Sequence, residues 1–444
     1  MRPLLRHAAT LALITTTAIT STASAGGYDT PVLYSARHMG MGGTGVSWVY
    51  DPTALYINPA GIGQTEFISL TLDISPIIAS IEAVPKGDTP AKAGPALLTP
   101  FLFGASFRVW EYITLGVGAF PVASASGGYE YSVAATSLDI VDETSIRFFE
   151  FPVAIAFNYK DYVSVAFSWR PTLAQIVRSQ ESTNQQGNTA PYHDLSTSGF
   201  SMEGWRVGLQ AKPIEMLSIG VHYRHKLEMN TEADRGMLLS YEMKNPVFPV
   251  ILPSKLTFGA RVDVPVLEVD LGISIDAEYG WQSQNDKVSV TAESAALNVN
   301  GVAIPGTEIQ NADFPILYNW QDAWTVRWGA EVGFLEGAAL RVGFIWDQET
   351  SNRGYPSAFG TPPADTYSLT LGGGYKAKNW EVNLAYAYRT GETTIEPEDV
   401  KDSATCTNCS SAGYHAIELH GIYVDFSWYF DLPTSLAHWS PKAK

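Results

Sequence analysis

Residues 323–347 read AWTVRWGAEVGFLEGAALRVGFIWD, and their alternation decides the fold. Trp324, Val326, Trp328, Ala330, Val332 and Phe334 share one face, while Thr325, Arg327, Gly329, Glu331 and Gly333 share the other. After Leu335-Glu336-Gly337 a second run sets Leu340, Val342, Phe344 and Trp346 against Arg341, Gly343 and Asp347. A period of two is that of a strand. A soluble sandwich alternates too, but here the large aromatics stand near the ends of the apolar face. Trp281, Trp380, Tyr388 and Trp428 do the same in other runs. Aromatic girdles on an apolar exterior, with charge and glycine inside, belong to strands that cross a bilayer.

Working outward, fourteen such runs follow one another: 66–80, 99–109, 113–123, 145–158, 162–178, 201–211, 217–231, 254–264, 268–283, 323–334, 338–349, 365–376, 379–392 and 415–430. An even number suits a closed antiparallel barrel of bacterial type. Short turns such as 110–112, 159–161 and 335–337 alternate with long connections at 179–200, 232–253, 284–322 and 393–414. The expected fold is therefore an all-β, 14-stranded antiparallel transmembrane barrel over residues 66–430. Composition agrees: 45% of residues are hydrophobic and 16% charged, with 38 glycines, yet no run holds the ~18 consecutive apolar residues of a membrane helix.

The first 25 residues fit a signal peptide. Arg2 and Arg6 form its basic start, Leu11 to Ile19 its apolar stretch and Ala23-Ser24-Ala25 its cleavage site. Residues 431–444 read as a C-terminal extension on the periplasmic side. The net charge of −17 argues against nucleic acid as a partner. It suits a surface among outer-membrane lipid and lipopolysaccharide, where divalent cations bridge acidic groups. Cys406 and Cys409, in CTNC, read as a small disulfide of an oxidising compartment, with a redox dithiol or half of a zinc site as alternatives. No catalytic motif, cofactor motif or metal-ligand spacing emerges, so no enzyme, cofactor or metal is expected.

Residues 36–61, ARHMGMGGTGVSWVYDPTALYINPAG, precede the strands. This Gly-rich run, ended by Asn58-Pro59-Ala60, resembles the plug of the long-chain fatty acid transporter (FadL-type) family of outer-membrane proteins, which includes aromatic hydrocarbon transporters. Residues 206–229 and 369–390 resemble two of that family's hairpins, so the likeness covers nearly the whole chain. It implies a plug over 26–65, held in part by Asn58, Pro59 and Ala60, inside a barrel in the bacterial outer membrane. It implies passive uptake of a hydrophobic small-molecule ligand, such as a long-chain fatty acid or an aromatic hydrocarbon, by a monomer. By the same likeness, ligand lands in a groove between loops 179–200 and 232–253. There the apolar residues Leu238, Leu239, Phe248 and Ile251 are candidate contacts, and exposed apolar surface marks a binding site. Arg178, on the inward face of the fifth strand, would hold a carboxylate, while Gln321 stands where the family has a second basic residue. Gly116, Gly118 and Pro121 match a kink in the third strand that opens the wall sideways. Two alternatives stay open: a secretion-shuttle barrel that docks a protein partner, whose plug carries a similar Met-Gly-Met-Gly-Gly…Asn-Pro-Ala-Gly run, and a general porin, which would lack a plug.

Overall fold

The computed structural model of the chain describes residues 34–85, 91–133, 137–160, 162–266, 269–299, 302–355, 363–396, 398–401 and 412–431. The signal segment, Cys406, Cys409 and the extension after Asp431 lie outside the described residues. The fourteen expected runs become fourteen strands. β1 joins Ile68–Ile74 to Ile77–Pro85, β2 joins Ala91–Leu98 to Phe101–Trp110, and β3 spans Ile113–Val133. β4 joins Leu138–Glu150 to Val153–Tyr159, β5 joins Val163–Trp169 to Thr172–Thr183, and β6 joins Thr189–Ser201 to Trp205–Ile214. β7 joins Leu217–Arg224 to Leu227–Glu232, and β8 joins Val247–Leu252 to Lys255–Val266. β9 (Val269–Gly280), β10 (Ala323–Phe334), β11 (Ala338–Asp347), β12 (Thr366–Lys376), β13 (Trp380–Ile395) and β14 (Gly413–Phe430) complete the wall. β14 pairs with β13 from Trp380↔Trp428 to Ile395↔Gly413 and with β1 from Ile68↔Phe430 to Ile74↔Val424, which closes the barrel.

The alternation sorts as expected. In β10 and β11, Trp324, Trp328, Leu340, Val342 and Phe344 are exposed, while Arg327, Gly329, Arg341, Gly343 and Asp347 are buried. Leu369, Leu371 and Leu384 each expose more than half their surface on the outside. In water each such side chain would forgo roughly 1.5–3 kcal/mol of burial, whereas hydrocarbon solvates it.

The long connections depart from expectation. Much of 179–200 is strand, since β5 runs up to Thr183 and β6 starts at Thr189. The 232–253 segment folds as a hairpin, Arg235–Leu238 with Tyr241–Lys244, before β8 begins. Within 284–322, Lys287–Val299 pairs with both that hairpin and Ile309–Leu317. The physical reason is that these segments enclose an apolar interior, where a loop would leave buried N–H and C=O groups without partners. Proline interrupts the wall at Pro76, Pro100, Pro152, Pro171 and Pro253, where it cannot donate to the ladder. Most of these breaks are stitched by the neighbouring strand: Phe151 donates to the Pro171 carbonyl (2.9 Å) and Gly118 to that of Pro152 (3.1 Å).

Candidate functional site at the inner segment and the wall beside it

The described part of the N-terminal segment, 34–65, lies inside the barrel. It holds two single-turn helices, α1 (Ala36–Met39) and α2 (Ala54–Ile57), and a 3-10 turn, Pro59–Gln64. One-turn helices do not persist alone, so the wall must hold them. Inward carboxylates of three strands accept its backbone N–H groups: Asp73 from Ser35 (2.9 Å), Asp425 from Arg37 (3.0 Å), and Asp276 from Gly45 and Val46 (2.9 and 3.1 Å). Elsewhere the wall presents glycine. A Cβ on Gly208 would overlap Asn58, one on Gly220 would overlap Val46, and one on Gly329 or Gly343 would overlap Met41. Asn58 closes the seat. Its amide donates to the carbonyls of Val46 (2.6 Å) and Leu209 (3.1 Å), and its Oδ1 accepts from Ala60 N–H (3.1 Å). Pro59 opens the 3-10 turn, and the Ala60 carbonyl accepts from Ser164 Oγ (2.7 Å). His38 is fully enclosed, its ring bonded to the Thr44 carbonyl at 2.8 Å. Burial, then the nearby Arg37 charge, pushes its imidazole down to about 3.

Above α2 an aromatic trio forms. Tyr34 and Tyr56 stand 5.1 Å apart edge to face, and Phe120 lies 6.0 and 5.6 Å from them. The Tyr34 hydroxyl donates to the Pro121 carbonyl at 2.5 Å. The described pairing of the wall is interrupted here. β2 pairs with β3 from Trp110↔Ile113 to Phe103↔Ala119, and the next described pair is Lys92↔Glu130. Between them the β3 stretch after Ala119 has no described partner on the β2 side, and apolar Leu98, Phe120 and Val122 border the seam from within. Pro121 sits at the bulge that turns β3 away. Gly116 and Gly118 play a different part from the one expected. Both are paired with β2, and their bare Cα atoms leave room for Leu55 and Ile62 of the inner segment.

The other sequence-derived residues fall as follows. Leu238 and Phe248 are 3% and 5% exposed and belong to one apolar core with Met229, Met243, Val250 and Leu252, so the expected exposed patch is instead the interior of the outer half of the barrel. Leu239 is half-buried, with its N–H on His193 (3.2 Å). Ile251 alternates with Phe248, Val250 and Leu252 along the strand and lies on the opposite face. Arg178 faces inward, but its guanidinium is already ion-paired with Asp142 and bonded to Gln180 (3.4 Å). Sequence reasoning missed a second charge cluster. Buried Glu150 lies between Arg170 (2.7 Å) and Arg206, and Arg206 also donates to the α2 carbonyls of Leu55 (2.8 Å) and Tyr56 (2.9 Å). The available signal was alternation, which places Arg206 inward with Gly208 and Gln210.

A closed transmembrane barrel that encloses its own N-terminal segment is an outer-membrane protein. The sequence matches the family described as outer membrane protein transport protein (OMPP1/FadL/TodX) over residues 16–416, and the chain belongs to that family of the bacterial outer membrane. Solved structures share the fold at low identity. A Pseudomonas aeruginosa FadL homologue superposes with a TM-score of 0.70 at 13% identity, over 91% of this chain and 100% of the other. The Pseudomonas putida toluene transporter TodX gives 0.62 at 16%, over 93% and 100%. The Ralstonia pickettii toluene transporter TbuX gives 0.61 at 17%, over 91% and 99%. No curated protein sequence matches the chain.

Proposed function

We propose that the protein carries hydrophobic compounds passively across the outer membrane and releases them sideways through the β2–β3 seam. The observation that carries this reading is the seam itself, bordered by apolar side chains and abutting the Tyr34–Tyr56–Phe120 trio. A hydrophobic solute is held back by the polar lipopolysaccharide layer and not by hydrocarbon. The useful path therefore enters the apolar outer core around Leu238 and Phe248, descends to the trio and turns into the bilayer. The segment 26–65 acts as the plug that closes the aqueous route. Flow follows concentration.

An uncharged compound, such as an aromatic hydrocarbon, suits this interior better than a fatty acid. Arg178 is paired with Asp142, and Arg170 and Arg206 share the one carboxylate of Glu150. An incoming carboxylate would have to displace a buried carboxylate that already serves each cation.

Filling the seam tests the route. In a Leu98→Trp, Val122→Trp double variant, uptake of labelled toluene by intact cells falls toward that of cells lacking the protein, while the barrel keeps its heat-modifiable folded form on a gel. Full uptake with the barrel folded would overturn sideways exit at this seam.

A further inference from the structure

Beneath the inner segment, on the side of the short turns, a cavity of about 380 Å³ has Arg37, Ser47, Trp48, Tyr50, Lys212 and Arg261 in its lining, together with one carboxylate, Asp263, which is paired with Arg261. We propose that this cavity is a binding site for a small organic carboxylate arriving from the periplasm. It is separate from the apolar route above and does not rest on it.

The Arg261 guanidinium lies 4.3 Å from the centre of the Trp48 ring, and Arg37 lies 4.9 Å from Trp48 and 3.8 Å from Tyr50. Lys376 stands 4.1 Å from Tyr50. Cations over the rings occupy the electronegative π faces. What is left to a newcomer is the ring edge, which is electropositive and favours an anion.

Hydrogen bonding points the same way. Arg37 Nε and Nη1, Ser47 Oγ and Trp48 Nε1 are buried and have no hydrogen-bond partner among the described residues, and all three residues line this one cavity. Arg37, at 7% exposure, has its nearest carboxylate, Glu381, 3.6 Å from Nη1. A well-formed guanidinium–carboxylate contact is roughly 2.7–2.9 Å and often two-pronged. Arg37 therefore retains donor capacity. Arg261 is more fully engaged: Nε donates to Asp263 (2.7 Å), Nη2 to Glu331 (2.8 Å), and Nη1 reaches the Met41 sulfur (3.6 Å). Lys212 stands exposed at the rim beside the β6–β7 turn. Buried donors left without acceptors are costly. A carboxylate, which only accepts, would satisfy several at once, with a small apolar body against Val49 and the two rings.

The test is ¹⁹F NMR titration of the purified full-length barrel with 4-fluorobenzoate and, in parallel, with the neutral 4-fluorobenzyl alcohol. Trp48→Phe leaves an aromatic ring for the cations but removes the indole N–H, and Ser47→Ala removes one hydroxyl. The acid is expected to bind the unaltered protein more tightly than the alcohol, and to lose about tenfold in Trp48→Phe, the scale of one hydrogen bond to a charged group. Ser47→Ala weakens the acid in the same sense and leaves the alcohol unchanged. Equal affinity for acid and alcohol in the unaltered protein, or acid binding unaffected by both substitutions, would overturn the proposal.

Discussion

The side chain of Asn58 rests on the bare Cα of Gly208, so that a single added methyl on the wall would overlap its Oδ1. This contact ties the residue that organises the inner segment to an inward position of β6. It makes the seat of that segment sensitive to one carbon atom. Gly208→Val should fold as a strand residue, since β-branched side chains suit strands. It should nevertheless unseat the inner segment, at the roughly 1–3 kcal/mol typical of overpacking. Single-channel recording in planar bilayers should show a rise in ion leakage over the unaltered protein. A silent, folded barrel would show that the segment tolerates the displacement.

Asn58→Ala acts from the other side of the same contact. It strips the Val46 and Leu209 carbonyls of a donor and Ala60 of an acceptor. The expected cost is about 1–3 kcal/mol, the scale for leaving buried groups unsatisfied. Hydrogen exchange should quicken in 34–65 while the strand amides keep their protection. Equal loss of protection in segment and wall would mean that Asn58 supports the barrel as a whole.

Glu150 is the carboxylate shared by Arg170 and Arg206. Glu150→Ala leaves two guanidiniums buried without it, so the barrel should lose on the order of 3–5 kcal/mol. The urea midpoint of unfolding in detergent should drop accordingly. A midpoint within error of the unaltered protein would refute a structural role for this cluster.

Arg178 gives a prediction about substrate charge. Because its charge is spent on Asp142, the double variant Arg178→Ala, Asp142→Ala, which leaves neither charge unpaired, should change the binding of a fatty acid and of the matching alkane by the same factor. A selective loss for the acid would show that Arg178 exchanges Asp142 for the ligand.

His38 makes the seat of the inner segment sensitive to acid. Its pKa is about 3 in place and returns toward its ordinary 6.5 when the segment comes free. The neutral ring is the one that fits, so this contribution is intact above about pH 6.5. It falls by on the order of 1 kcal/mol per unit as the pH drops toward 3. Leakage across bilayers should therefore increase on acidification in this window, and less so in His38→Gln. Identical pH profiles for the two proteins would assign the acid response elsewhere.

The wall was legible because each strand position answers to one of two solvents. Trp328 and Phe344 face lipid, Arg327 and Arg341 face the interior, and a period of two in the sequence separates them. The strand count followed. The outer half was not legible, because there both faces are mixed. Leu238 and Phe248 look like exposed loop residues until Met229, Met243 and Val250 are seen to cover them. Charge pairing was hidden for a similar reason. Arg178 and Asp142 stand on neighbouring strands but 36 positions apart, and Arg206 meets Glu150 across 56. Periodicity tells which way a side chain points and not what waits there. The glycines illustrate this in reverse: Gly208, Gly329 and Gly343 could be read as inward, but only the structure shows that their missing side chains form the seat of the inner segment.

The central claim, passage of a hydrophobic compound past the trio and out through the β2–β3 seam, is tested most directly by photolabelling. The barrel in lipid nanodiscs is irradiated with an aryl diazirine, and labelled peptides are read by mass spectrometry with and without excess toluene. Toluene-sensitive labelling is expected at Tyr34, Tyr56, Leu98 and Phe120, above a background on the lipid face that toluene does not displace. Labelling confined to that background, with none at these four residues, would contradict this route.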